Sequence, residues 1–132
     1  MKNCKDPPVL FADDDENDTY FFRLACEAAA ITNPLLTFFD GQGVIDFLTD
    51  QDNPRPGLLV LDLKMPRVDG FEMLRKMQEE HGRGSVPVIM FSGKVDEETA
   101  SRAAREGAQA FIGKPFDPQA LIESTKQLLS NR

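Results

Sequence analysis

Four polar groups each follow a short apolar run. Asp13-Asp14-Asp15 follows Val9-Leu10-Phe11-Ala12, Asp62 follows Leu58-Leu59-Val60-Leu61, Ser92-Gly93 follows Val88-Ile89-Met90-Phe91, and Ala110-Phe111-Ile112 leads through Gly113 into Lys114-Pro115. If the runs are strands of an open α/β sheet, their carboxyl ends share one rim, the usual place for ligands in such sheets. Carboxylates, a hydroxyl and an ammonium would then converge. Asp13, Asp14 and Asp62 crowded together repel one another and raise one another's pKa unless a cation neutralises them. Mg2+ meets that need, because it prefers octahedral oxygen ligation, uses one or two carboxylates with water, and leaves positions for phosphate oxygens. These residues therefore suit metal-assisted phosphoryl chemistry. With a metal bound, one carboxylate could act as nucleophile toward an incoming phosphoryl group and form an acyl phosphate, while Lys114 and the metal would stabilise the transferring charge. Ser92 is available to hydrogen-bond the phosphoryl oxygen. A gain of about one to two negative charges on one side chain is enough to reposition a hydroxyl and a lysine and to bias a two-state surface.

The elements that position these residues are legible from periodicity. Five apolar runs, the four above and Leu35-Leu36-Thr37-Phe38-Phe39, are mostly apolar on both faces, as strands inside a covered parallel sheet are. Between them lie amphipathic stretches. In the first, Phe21, Leu24, Ala25 and Ala28 recur at helical spacing and are expected to face the core. The second carries Val44, Ile45, Phe47 and Leu48 after Asp40, and the third carries Phe71, Leu74 and Met77 before Gly82 and Gly84. The fourth, starting near Asp96, offers only Ala100, Ala103 and Ala104 before Gly107, so it buries least and should be the most loosely held. The fifth carries Leu121, Ile122, Thr125, Leu128 and Leu129. Strict β–α alternation with short connections implies right-handed crossovers and a doubly wound three-layer α/β/α sandwich.

Composition limits the alternatives. The 132 residues fit one domain, 1–132 with a core about 8–130. A net charge of −7 disfavours nucleic acid and favours a cation or a basic protein surface as partner. No apolar run approaches the roughly 20 residues of a membrane span, and residues 1–8 lack the apolar stretch of a secretory signal. A cytoplasmic protein with two reduced thiols, Cys4 and Cys26, is expected.

Each residue alone has a simpler reading. Asp13-Asp14-Asp15 can cap the following helix, a role expected of Asp15 with Glu16. Ser92 before Gly93 is an ordinary turn former, Lys114 an ordinary solvated lysine, and Phe111 a core strand residue. His81 beside Gly82 reads as a cation at a helix end. Only the shared strand-end placement favours a site.

The ordered set resembles the receiver domain of two-component response regulators. That pattern has an acidic pair after strand one, Asp-x-x-x-Pro after strand three, Ser/Thr-Gly/Ala after strand four and Lys-Pro after strand five. Here these are Asp13-Asp14, Asp62-Leu63-Lys64-Met65-Pro66, Ser92-Gly93 and Lys114-Pro115, with Asp69-Gly70 fitting the family's loop. The resemblance spans about Val9 to Leu129. It implies a flavodoxin-like five-stranded parallel sheet in the order 2-1-3-4-5, with Asp62 as phosphoacceptor. Mg2+ would be held by Asp13, Asp14, Asp62 and the Lys64 carbonyl. It also implies a switch hydroxyl at Ser92, a phosphoryl contact at Lys114, a cis peptide at Lys114-Pro115 and an aromatic switch at Phe111. Helix four, strand five and helix five would present the signalling surface.

By the same resemblance the phosphodonor is a sensor histidine kinase or phosphotransfer protein, and the output is a contact with a downstream protein, with a homodimer open. With only Ser130-Asn131-Arg132 after helix five, the chain resembles a stand-alone receiver. Asp13 to Asp18, Asp46-Phe47-Leu48 and Pro54-Arg55-Pro56 also look like the small receivers that partner bacterial phytochrome kinases. Lys64 and Lys94 depart from the commonest pattern, and we expect these cations to lengthen the phosphorylated lifetime by hindering water. Such a protein catalyses only its own phosphorylation and dephosphorylation and turns over no free metabolite.

Three other functions compete. A haloacid-dehalogenase-type phosphohydrolase needs Asp-x-Asp, and position 64 is Lys64. A flavodoxin-like electron carrier needs a phosphate loop where Asp13-Asp14-Asp15 would repel the flavin phosphate. A phosphorylation-independent receiver-like binding module remains the main alternative.

Overall fold

The computed structural model describes residues 6–63, 65, 70–81, 86–93, 96–113 and 118–130. Five strands alternate with five helices: β1 (Val9–Ala12), α1 (Glu16–Ala28), β2 (Leu35–Phe38), α2 (Gly41–Thr49), β3 (Leu58–Asp62), α3 (Gly70–His81), β4 (Val88–Ser92), α4 (Glu97–Glu106), β5 (Ala110–Gly113) and α5 (Pro118–Ser130). All pairings are parallel, in the order β2-β1-β3-β4-β5. The fold is the three-layer sandwich that the β–α alternation implies, with the flavodoxin-like strand order that the receiver resemblance implies.

Alternation along the strands divides the core in two. Leu10, Ala12, Leu59, Leu61, Val88 and Met90 pack with residues of α2, α3 and α4, among them Val44, Leu48, Phe71, Leu74 and Ala103. Val9, Phe11, Leu58, Val60, Ile89 and Phe91 pack on the other face with Phe22 and Cys26 of α1 and Leu121 of α5. The three inner strands are buried at every position, whereas the edge strands β2 and β5 are half-buried. Side-chain caps start the helices: Asp15 accepts from the Asn17 amide at 2.8 Å, Asp40 from Gly43 at 2.9 Å and Asp96 from Thr99 at 2.7 Å.

The first helix corrects the periodicity reading. Phe21 and Leu24 are 54% and 43% exposed, and Ala28 is exposed too, whereas Thr19, Phe22 and Cys26 form the buried stripe. Three consecutive aromatics, Tyr20-Phe21-Phe22, leave the helical phase open to a local reading. The Phe22 ring stacks on Phe11 of β1 at 4.5 Å, and Phe11 in turn stacks on Phe91 of β4 at 5.5 Å. This long-range aromatic column rotates Phe21 and Leu24 outward. Phe39 lies beyond the end of β2 and is exposed as well.

The end of α1 carries the one positive φ of a non-glycine residue among those described, Ala30 at 58°. The Ile31 amide donates to the Cys26 carbonyl at 3.1 Å and the Ala30 amide to Glu27 at 3.1 Å, the paired bonds of a Schellman turn, with alanine where glycine is usual. Ala103 is the only buried residue of α4, in line with its sparse apolar face. Cys26 is a buried free thiol, and burial pushes it up to about 11. Cys4, Gly82 and Gly84 lie outside the described residues.

Candidate functional site

Strand register brings the acidic residues together. Ala12 pairs with Leu61, so the next residues, Asp13 and Asp62, emerge side by side from adjacent strands roughly 4.8 Å apart. Alternation gives both carboxylates the face that Phe11 and Val60 occupy two residues earlier. Carboxylate oxygens of Asp13, Asp14 and Asp62 lie within 4.8 Å of one another. Asp13 is fully buried and Asp62 is 5% exposed, whereas Asp14 is open to solvent. Backbone bonds fix the rim: the Asp13 amide donates to Phe38 at 3.1 Å, and the Leu63 amide donates to Phe91 at 2.9 Å.

The charge arrangement is under tension. Asp13 is pushed up to about 8, first by burial, then by a side-chain hydrogen bond with Asp18 and by the charge and hydrogen bonding of Asp62. The Asp15 amide, 3.0 Å from Asp13 Oδ1, opposes that rise. The sequence reading did not single out Asp18. Its position in the first turn of α1, five residues after Asp13, was the available signal, because a helix opening at Glu16 turns it back toward the strand end.

Ser92 ends β4 and is 1% exposed, one register step past Asp62, which pairs with Phe91. It pairs in turn with Gly113, the last residue of β5. Phe111 is half-buried against the core on the α2–α3–α4 face. Lys114, Pro115, Lys64, Pro66, Asp69 and Lys94 lie outside the described residues, so the ammonium contact, the cis peptide and the Lys64 carbonyl ligand are not described by the structure. At Gly93 an added Cβ would meet nothing within 4 Å, whereas at Gly70 it would lie 2.8 Å from Leu63 Cα and 3.0 Å from the Asp62 carbonyl oxygen. The first turn of α3 therefore rests directly on the backbone that carries Asp62.

This donor set fits Mg2+. It offers hard oxygens on two buried walls and one exposed side, where water can complete an octahedron. A cation there would offset the burial and the Asp62 charge that push Asp13 up.

The response regulator receiver domain model matches residues 9–126. The chain belongs to that family. Among curated relatives of this receiver, the C4-dicarboxylate transport transcriptional regulatory protein DctD of Pseudomonas aeruginosa is 35% identical over 124 residues, 94% of this chain and 25% of that protein. An uncharacterized 14.6 kDa protein of Leptolyngbya boryana is 30% identical over 129 residues, 96% of this chain and 93% of that one. This receiver spans about a quarter to a third of the first curated relatives it matches. Among solved structures, the Francisella response regulator 1452 receiver domain superposes with a TM-score of 0.81 at 27% identity, covering 96% of this chain and 98% of that one. The bacteriophytochrome response regulator RtBRR gives 0.80 at 25% identity, covering 93% and 78%. The family is one of signalling proteins in two-component systems, and phosphorylation and Mg2+ binding are typical of it. Among the described residues, no helix is long and apolar enough to cross a membrane.

Proposed function

We propose that this receiver is a phosphorylation-dependent switch in which Asp62 is the phosphoacceptor. The observation that carries the reading is the convergence of Asp13, Asp14 and Asp62 within 4.8 Å at the strand ends, beside buried Ser92. An oxygen of Asp62 attacks the phosphorus of a phosphohistidine on a sensor kinase or phosphotransfer protein. The P–N bond breaks with its electron pair left on the imidazole, and an acyl phosphate forms on Asp62. Mg2+ held by Asp13, Asp14, Asp62 and the Lys64 carbonyl would offset the carboxylate charge and stabilise the transferring oxygens. Asp13 and Asp14 orient the cation side of the site, and the buried walls limit water.

Ser92 and Lys114 take up the new phosphoryl oxygens, and their displacement carries the change to Phe111 and the α4–β5–α5 surface, where a downstream protein is recognised. Lys64 and Lys94 slow hydrolysis of the acyl phosphate. The protein works in the cytoplasm, and its resemblance to RtBRR supports a kinase of the bacteriophytochrome class as donor. Incubation with acetyl phosphate and Mg2+ should produce a band retarded on a phosphate-affinity gel, lost with EDTA and in Asp14→Ala. Equal retardation with and without EDTA would remove the metal from the account.

A further inference from the structure

We propose that Arg102 is a latch that couples the position of α4 to the backbone of the Asp62 loop; the coupling part of this inference rests on the phosphoacceptor reading above. The apolar attachment of α4 is small, since Ala103 is its only buried residue. A seam along one face of α3, made by Phe71, Arg75 and Gln78 at i, i+4 and i+7, adds to it. The Arg102 guanidinium carbon lies 3.9 Å from the centroid of the Phe71 ring. Arg102 Nε also donates to Glu106 Oε2 at 3.2 Å, which holds the guanidinium over the ring. The other Glu106 oxygen faces Arg75 Nε at 3.8 Å, and Gln78 Nε2 donates to the Glu106 carbonyl at 2.8 Å.

Arg75 and Arg102 stand half in solvent, so their ion pairs with Glu106 are screened and weak. The stack on Phe71 differs, because that ring is buried in the core and Arg102 forms part of its cover. Phe71 is also the residue after Gly70. The Gly70 amide donates to the Leu63 carbonyl at 2.8 Å, and the space at Gly70 leaves no slack against Asp62 and Leu63. A shift of the Asp62–Leu63 backbone must therefore move the first turn of α3, and with it the ring on which Arg102 rests. Packed contacts with two discrete arrangements carry such shifts without a flexible intermediate.

Hydrogen exchange of the full chain, without metal or phosphodonor, tests the attachment. In Arg102→Ala the amides of 97–106 should exchange about fivefold faster than in the wild type, the factor that loss of a cation–π contact of about 1 kcal/mol gives. Helices α1 and α5 should be unchanged. Arg102→Lys, which keeps the charge but loses the planar stack, should also be faster. Unchanged exchange in 97–106, or equal acceleration in every helix, overturns the latch.

The coupling is read by adding Mg2+ and beryllofluoride, a phosphoryl analogue that is not transferred. The wild type should change exchange in 97–106, and Arg102→Ala should lose more than half of that response while the segment around Asp62 is protected equally in both. A full α4 response in Arg102→Ala overturns the coupling. If beryllofluoride protects nothing around Asp62 in the wild type, the phosphoacceptor reading fails, while the reagent-free comparison still decides the attachment.

Discussion

Replacing Gly70 by alanine should damage both stability and phosphorylation, whereas the same change at Gly93 should do neither. The Gly70 Cβ would sit 2.8 Å from Leu63 Cα, about 0.7 Å short of the roughly 3.5 Å at which carbon atoms make ordinary contact. Neither neighbour is a flexible side-chain end, since Leu63 Cα and the Asp62 carbonyl are backbone, and only the contact with Met90 Cε can yield. Overpacking of this kind costs about 1–3 kcal/mol, and the lower unfolded-state entropy of alanine returns about 0.4–1 kcal/mol. A net loss of about 1–2 kcal/mol follows, measurable as a lower midpoint in urea with an unchanged slope.

The strain falls on the residue proposed as phosphoacceptor. Moving the Asp62 backbone by a few tenths of an ångström to relieve it should slow phosphorylation by acetyl phosphate on the order of tenfold, since a 1 Å misplacement costs about a hundredfold. At Gly93 a Cβ meets nothing within 4 Å, and the change should stay within about 0.5 kcal/mol. Wild-type stability and rate in Gly70→Ala, or an equal loss in Gly93→Ala, would refute the close-approach reasoning.

Two further outcomes follow from particular residues. In EDTA the melting temperature should fall as pH rises from about 4 to about 8, because folded Asp13, pushed up to about 8, keeps a proton that the unfolded chain, with an ordinary value of 3.8, has released. Asp13→Asn should flatten that slope, which thermal melts from pH 5 to 9 would show. Ala30→Gly should raise stability by about 0.5–1 kcal/mol, since an L residue in the left-handed region costs about 1–2 kcal/mol and part of the gain is offset by glycine's unfolded-state entropy; a urea midpoint at or below that of wild type would contradict the Schellman assignment.

The fold was legible because the strand signals are local and consistent. Each apolar run ends at a polar residue, and the sites proposed at Asp13, Asp14, Asp62 and Ser92 follow from those endings with the parallel order. Asp15, Asp40 and Asp96 likewise announce their helices. What was not legible depends on contacts far apart in the chain. The phase of α1 is decided by Phe11 and Phe91, neither of which is local to Tyr20-Phe21-Phe22. The Arg102 stack on Phe71 joins two helices across a strand, and the spacing along α4 alone shows only an exposed arginine. The positive φ at Ala30 carries no signal in residue type, because glycine is the residue that would mark it. Asp18 was hidden by its surroundings, one acid among several in a segment that also has to cap a helix.

The central claim is that Asp62 carries the phosphoryl group, and intact-mass spectrometry after incubation with Mg2+ and acetyl phosphate tests it most directly. The wild type should gain a single phosphoryl mass, removed by hydroxylamine, and Asp62→Asn should gain none while melting as a folded protein. An adduct of equal yield in Asp62→Asn, or no adduct on the wild type with Mg2+ saturating and a cognate phosphohistidine donor present, would contradict it and leave a receiver that binds its partner through a fixed surface.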